Sequence, residues 1–247
     1  MSHHHGIDTA SHQTASRETT SPESMASKRL APEHYPWEPI HTEGVLVRGA
    51  FTPSTDTNRT LQEHGGPPLA DRHRVIAVGS NASPAVMDRK MRRAGIDRPL
   101  AMTFERHAGI AVGHSAHVSL PGYIATAPYR CSHCVHRFVT VHLDDEQVAA
   151  LDATEPNYDR IAHDGTWLYA SRWQVIAIRG TPITARTQAE LHRALGAADS
   201  VWHDRFGGRP EDEVAAQLAH DGSIGEWRHR WRSVGLTRDA GFAVRPI

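Results

Sequence analysis

The chain has 247 residues, of which 39% are hydrophobic and 22% charged, and its net charge is −1 with histidine neutral. This balance lacks the basic surface typical of nucleic-acid or anionic-membrane binding, so we predict neither partner. No apolar run approaches the roughly 18 residues that span a bilayer, and the first residues lack the apolar core of a signal peptide. Two cysteines do not make a disulfide framework, so we expect a cytoplasmic protein.

The N-terminal part has little to bury. Residues 1–34 are rich in Ser, Thr, His and Glu, which predicts a disordered leader, and three adjacent histidines in it are a tag remnant or a natural tract. Residues 35–71 are predicted to be an extended or loop segment that packs on the core. Within it, residues 44–47 are a candidate strand and residues 52–70 a loop. We expect the compact domain to begin at Arg72.

A strand, a tight turn and a helix follow between residues 75 and 94. Val75 to Val78 is a short apolar run typical of a buried strand, and Gly79, Ser80 and Asn81 suit a turn. Ser83 is a candidate N-cap, Pro84 fits the first helical position, and Gly95 ends the helix. Backbone N–H groups at such a helix N-terminus suit an oxyanion or a carboxylate, although an ordinary strand-to-helix connection has the same pattern.

The middle of the chain is rich in strand patterns. Apolar or alternating runs predict strands at 100–104, 109–112, 116–120, 122–127 and 138–143, with one or two more between 167 and 178. Asp144 and Gln147 form a capping-box pattern that begins a helix with Val148 and Leu151 on its buried side. The helix is expected to end near Thr154.

Helical patterns dominate residues 181–247, which we interpret as a C-terminal extension. Helices are predicted at 185–195, capped by Thr184 and closed by Gly196, and at 199–206, 210–219 and 224–234. The whole order predicts an α+β fold, a small mixed β-barrel or curled sheet flanked by helices. The last helix alternates arginines with tryptophans, which favours a basic face covering a core over a surface for an acidic partner.

Glu155 is the candidate acid/base. It follows the helix that Asp144 begins, and Pro156 prevents the helix from continuing. Partial burial of a carboxyl group raises its pKa towards the range useful for proton transfer. The alternative is an ordinary surface glutamate at a helix C-terminus.

These motifs together resemble the γ-glutamylcyclotransferase-like superfamily. The resemblance rests on the GSN turn after a strand and, about 70 residues later, on Leu151-Asp152-x-x-Glu155 followed by Tyr158-x-Arg160, and it covers residues 72–180. It implies a compact mixed barrel with a cavity at its mouth and no cofactor. It also implies Glu155 as catalytic acid/base and substrate-binding residues at Val78, Gly79, Ser80 and Asn81. Tyr158 and Arg160 either line the same pocket or are a packed tyrosine and a surface arginine.

The activity implied by the resemblance is cleavage of a γ-glutamyl or related amide, in which the substrate's own α-amine attacks the γ-carbonyl and releases 5-oxoproline. One carboxylate can take the proton from the amine and deliver it to the leaving nitrogen. This sequence departs from the family, which usually has Tyr where Val78 stands and Leu where Ala82 stands. A non-catalytic module that binds a small molecule or a protein on the same fold is therefore the alternative.

A second candidate site is the Cys131-Ser132-His133-Cys134 segment. Cys-x-x-Cys beside histidines has zinc-ligand character, with His136 the nearest further candidate and His117 or His142 more distant ones. The same pattern also fits a redox-active pair or two ordinary loop thiols. No Gly-x-Ser-x-Gly elbow follows a strand, so a serine-hydrolase triad is not predicted.

Overall fold

The computed structural model describes residues 30–220 and 224–244. The leader prediction therefore falls largely outside the described residues, although residues 32–34 form a 3-10 turn where disorder was expected. Within the described part, no helix is both long and apolar enough to cross a bilayer. The strands are β1 Gly44–Val47, β2 Ala50–Pro53, β3 His73–Ala77, β4 Leu100–Val118, β5 Ile124–Leu143, β6 Tyr158–His163, β7 Thr166–Ser171, β8 Val175–Ile178, β9 Thr181–Pro182 and β10 Thr237–Arg238. The helices are α1 Thr57–Glu63, α2 Pro84–Arg93, α3 Asp145–Ala153, α4 Gln188–Ala198, α5 Ser200–Phe206, α6 Glu211–His220 and α7 Ile224–Ser233.

The long antiparallel hairpin of β4 and β5 is the central feature of the sheet. The sequence predicts several short strands here, but the structure has one continuous strand on each side. The two strands keep pairing through the predicted breaks, with register shifts only between Ala108 and Ile110 and between His114 and Val118. The predicted strand over 122–127 begins only at Ile124, after a turn in which Ser119 Oγ donates to the Tyr123 carbonyl.

The sheet extends from this hairpin in both directions. Its strand order is β10-β8-β4-β5-β3-β7-β6, with the β1–β2 hairpin paired to β4 and β9 paired to β8. The α+β prediction is therefore confirmed. In the part of the chain that is described, no ladder joins β6 to β10, so the sheet is open along this order rather than hydrogen-bonded into a closed barrel.

The segment before Arg72 contains more structure than a loop. The prediction that 44–47 is a strand is confirmed, since β1 pairs with β4. The prediction of a loop over 52–70 is wrong, because α1 occupies 57–63. Asp56 caps this helix by accepting a hydrogen bond from the backbone of Arg59, and Leu61 is buried against Val45 and Ala101. One apolar residue in a polar segment gave too little periodicity to show the helix.

The turn and the two helices nearest the candidate site form largely as expected. Residues 79–82 make a 3-10 turn, and α2 begins at Pro84 and buries Val86, Met87 and Met91. Ser83 occupies the N-cap position but makes no side-chain capping bond. The capping box of Asp144 and Gln147 is present at the start of α3.

The C-terminal helices pack on the far end of the hairpin. The first begins later than predicted, because Thr187 rather than Thr184 is its N-cap and Gly196 lies inside it. Its neighbours bury Trp202 and Trp231 in a cluster that also contains strand residues of β4, β5 and β8. α6 lies directly behind the hairpin turn, where a Cβ on Gly122 would come within 1.9 Å of the Ala215 carbonyl oxygen.

The basic face of α7 is structural, as the sequence favoured. Trp227 and Trp231 are buried, and Arg230 donates to Asp199, the N-cap of α5, with Nε–Oδ2 at 2.7 Å. The guanidinium of Arg228 lies 3.6 Å from the ring centroid of Trp173. The tryptophans therefore face the core while the arginines tie α7 to its neighbours.

Candidate active-site cavity

A cavity of about 370 Å³ lies where four parts of the chain converge. Its walls come from the segment before β1, the GSN turn with α2, the turn of the β4–β5 hairpin, and the residues that follow α3. Representative lining residues from these parts are Trp37, Ser80, Tyr123 and Glu155. The two motifs that carry the family resemblance therefore share one cavity.

Asn81, Lys90 and Glu155 form a closed hydrogen-bonded network on the cavity wall. The Asn81 amide nitrogen donates to Glu155 Oε1 at 3.1 Å, and Lys90 Nζ donates to the same oxygen at 2.5 Å and to Asn81 Oδ1 at 2.8 Å. The side chains of Lys90 and Glu155 are each only 13% exposed. The acid is thus held in one orientation by the turn and by α2, and both hydrogen bonds fall on one of its two oxygens.

Gly79 allows the turn to approach β5 closely. Its φ is +69°, in the left-handed region, and a Cβ there would lie 2.0 Å from Thr126 Oγ1 and 2.4 Å from the Tyr35 hydroxyl. Any side chain at this position would push β5 away from the turn. The glycine therefore sets how far Asn81 reaches towards Glu155.

Tyr35 and Tyr158 line the cavity beside Thr126. The Tyr35 hydroxyl accepts the Thr126 backbone N–H at 2.9 Å, and the Tyr158 hydroxyl donates to the Thr126 carbonyl at 3.0 Å. Burial raises the pKa of both phenols, so both are neutral at physiological pH. Tyr35 also stacks on Tyr123 with ring centroids 4.3 Å apart, and Trp37 packs edge-on against both rings.

Arg160, a candidate substrate-binding residue in the sequence, lies apart from the cavity lining. Its Nε donates to Asp152 Oδ1 at 3.0 Å, and its guanidinium lies 4.6 Å from the Trp167 ring centroid. It follows Tyr158 by two residues on β6, and it is engaged with α3 and β7 instead. Val78, Ser80, Asn81 and Tyr158 do line the cavity, whereas Gly79 shapes it from behind.

The cavity wall carries more positive than negative charge. Among the described lining residues, Arg89, Lys90 and Arg93 are cationic and Glu155 is the carboxylate. Arg89 Nε is buried without a hydrogen-bond partner, and its guanidinium lies 5.8 Å from the Trp37 ring centroid. Burial lowers the pKa of Arg89, with the charge of Arg93 a smaller cause, yet an arginine stays protonated at neutral pH. Such a wall favours an anionic ligand.

His117 is a further lining residue. Its Nδ1 lies 2.5 Å from Ser115 Oγ, and burial lowers its pKa to about 4, with a smaller contribution from Arg228. At neutral pH this imidazole is uncharged. It can exchange hydrogen bonds with a ligand but adds no positive charge to the wall.

Sequence reasoning missed several lining residues for different reasons. Lys90 follows the buried Val86 by four residues, so a lysine on the buried stripe of α2 was a usable signal. Tyr35 gave no signal, because its partner Thr126 is 91 residues away along the chain. Such a pairing depends on tertiary packing alone.

The cysteine segment is separate from the cavity lining. Cys131 and Cys134 are joined by a disulfide, so neither sulfur is a thiolate available to zinc. The ring that approaches them is His133 rather than His136, which the sequence offered only as a candidate zinc ligand. His117 lies at the cavity, and His142 Nε2 hydrogen-bonds to Thr103 Oγ1 at 2.9 Å. The disulfide is at odds with two free loop thiols, and the redox-active pair stays a prediction.

No family model, curated protein or solved structure matches the chain significantly.

Proposed function

We propose that this chain cleaves γ-glutamyl or related amides by intramolecular attack of the substrate amine, with Glu155 as acid/base. The observation that carries the proposal is the Asn81–Glu155 hydrogen bond of 3.1 Å inside a common cavity. It joins the GSN turn to the acid, the two features on which the resemblance rests. We propose accordingly that the chain is a divergent γ-glutamylcyclotransferase-like protein, whose open sheet corresponds to the mixed barrel of that superfamily.

In the proposed reaction, the α-amine attacks the γ-carbonyl carbon and the amide C–N bond breaks. Glu155 accepts the proton that the amine loses and returns it to the departing nitrogen, so the enzyme ends in its starting state. Lys90 and Asn81 hold Oε1 and leave the other carboxylate oxygen for the proton transfer. Backbone N–H groups of the turn would stabilise the oxygen that becomes negative.

The charge of the wall supports a substrate of this class. A γ-glutamyl amide carries a carboxylate. Arg89 and Arg93 supply positive charge at the cavity, and Glu155, the carboxylate among the described lining residues, is already paired with Lys90. Charge-assisted hydrogen bonds to an arginine are stronger than neutral ones. Anion binding would therefore orient the substrate before the amine attacks.

The direct test is a panel of γ-glutamyl amides assayed for 5-oxoproline and for the free amine. Replacing Glu155 by Gln preserves the side-chain shape and removes the proton acceptor, so turnover should fall by about 10²–10⁴-fold. Glu146→Gln is the control, since this exposed acid on α3 bonds to Arg98 and is not part of the cavity lining. Undiminished 5-oxoproline release by Glu155→Gln would refute the assignment.

One observation favours the alternative of a binding module. Glu155 is already neutralised by Lys90 at 2.5 Å, and an ion pair can be purely structural. The two functions separate in a single experiment, in which binding and turnover of the same amide are measured. A module would bind the amide without releasing 5-oxoproline, and Glu155→Gln would retain that binding.

A further inference from the structure

The Cys131–Cys134 disulfide lies in a local excursion of β5. The β4–β5 register passes from Ala108 opposite Val135 to Ile110 opposite Arg130, so residues 131–134 have only Gly109 facing them. The sheet ladder continues on both sides. Ser132 and His133 are exposed and the two cysteines are half-buried. Both cysteines therefore lie in a bulged stretch of β5, next to residues that are exposed to solvent.

His133 provides a specific interaction with one of the two sulfurs. Its Nε2 is 3.6 Å from Cys131 Sγ. A protonated imidazole beside a cysteine stabilises the thiolate over the thiol and so lowers the thiol pKa. Among the described residues the contact is with Cys131 rather than with Cys134, so Cys131 is the candidate attacking thiol of the reduced pair.

A purely structural role explains this disulfide poorly. The bond closes a loop between residues only three apart in sequence, with the Cα atoms 5.4 Å apart. Cross-linking restricts the unfolded chain less as the closed loop becomes shorter, so this ring contributes little by that route. The excursion also lies within a ladder that backbone hydrogen bonds already hold together.

We propose that Cys131 and Cys134 form a thiol–disulfide exchange site, whose substrates are accessible disulfides and dithiols. In the reduced protein, the Cys131 thiolate attacks one sulfur of a disulfide RSSR, and the first RS⁻ leaves with the electron pair of that bond. Cys134 then loses its proton and attacks Cys131 Sγ, which restores the protein disulfide and releases the second RS⁻. The two leaving thiolates take up the two protons. The protein loses two electrons and RSSR gains them, and a low-molecular-weight thiol runs the same steps in reverse.

The test uses the full chain in buffers of 2-mercaptoethanol and its disulfide at fixed total concentration. Glutathione is avoided because it is itself a γ-glutamyl amide and would engage the proposed cavity reaction. Alkylation of free thiols and mass measurement give the oxidised fraction at each ratio. The proposal predicts a reversible transition within the series, reached from both the oxidised and the reduced protein. A protein that stays fully oxidised or fully reduced throughout would overturn it.

A second measurement isolates the role of His133. In Cys134→Ser, the pH midpoint of Cys131 alkylation should lie below the ordinary value of about 8.5, and His133→Gln should raise it. Each unit of that rise lowers the thiolate fraction near neutral pH about tenfold. His136→Gln is the matched control, because this exposed histidine lies on the same strand beyond the excursion. Equal midpoints for the two histidine variants would remove the basis of the proposal, provided that thermal unfolding shows both to be folded.

Zinc is the remaining competitor for these atoms. The ligand atoms of Cys131, His133 and Cys134 lie within 4.8 Å of one another. Protein purified with one zinc ion per chain, whose thiols react only after a chelator is added, would overturn the exchange proposal in favour of a metal site. Thiols that alkylate equally with and without the chelator support exchange.

Discussion

The ion pair between Lys90 and Glu155 should be energetically coupled far more strongly than an ordinary surface pair. Its two side chains are each 13% exposed, and both bond to Asn81 as well. Removal of one partner leaves the other charge in a site with little water, which costs 3–5 kcal/mol for a fully buried pair. Partial exposure reduces this cost, so we expect a coupling energy of about 2 kcal/mol.

The measurement is a double-mutant cycle on the free energy of unfolding in urea. Lys90→Met removes the charge and keeps the length of the side chain, and Glu155→Gln keeps an acceptor for the Asn81 amide. Arg59 and Glu63 form the control pair, since they lie one turn apart on α1 at 2.8 Å but are 76% and 57% exposed. Their coupling should be about 0.3–0.5 kcal/mol. If both cycles give the same coupling energy, Lys90 does not hold the acid in place, and the argument for a preorganised carboxylate fails.

Three further predictions follow from single positions. Gly79→Ala should destabilise the fold by several kcal/mol, because its Cβ would lie 2.0 Å from a threonine hydroxyl, whereas Gly165→Ala, with φ +73° and open space, should cost about 1–2 kcal/mol. His114 should weaken the fold in acid. Burial lowers its pKa to about 4, below the unfolded value of about 6.5, so its contribution is present above pH 6.5 and is lost as the pH falls towards 4. Arg89→Gln should weaken binding of a carboxylate-bearing amide by about tenfold or more, whereas Arg106→Gln, on the exposed surface, should not.

Each of these has a clear contrary result. Equal losses of unfolding free energy for the two glycine variants would show that the close approach to β5 is unimportant. The backbone N–H of Arg186 donates to His114 Nε2 at 3.0 Å, so protonation of Nε2 breaks this hydrogen bond. The slope of unfolding free energy against pH should decrease by up to about 1.4 kcal/mol per unit in His114→Gln, and an unchanged slope contradicts the assignment. Equal affinities of the Arg89→Gln and Arg106→Gln variants for the carboxylate-bearing amide would exclude Arg89 from anion binding.

Local signals in the sequence predicted the parts of the site that local chemistry determines. The GSN turn, the start of α2 and the capping box of Asp144 and Gln147 each depend on residues within about four positions of one another. Such short-range patterns act through hydrogen bonds between residues that are close in sequence, as in the capping box. Only the family resemblance predicted that Glu155 lies at the same cavity as the GSN turn, because no local sequence pattern indicates it.

Long-range packing explains what could not be predicted. Tyr35 reaches Thr126 across 91 residues, and α1 is held by Leu61 against strands on either side of it in the chain. The β4–β5 hairpin was divided into short strands because glycine and proline normally end a strand pattern, whereas here Gly113 pairs with Ala127 and Pro128 with Val112 in an unbroken register. The neighbours that decide these cases are distant in sequence, so no window of sequence contains them.

The contact of α6 with the hairpin turn connects two regions that the sequence keeps apart. A Cβ on Gly122 would press on the Ala215 carbonyl, and Tyr123, the next residue, is part of the cavity wall. A movement of α6 would thus act on the hairpin turn one residue from an aromatic ring that lines the cavity. The C-terminal helices therefore contact the hairpin turn that forms one wall of the cavity, at a distance in sequence from Glu155 and the GSN turn.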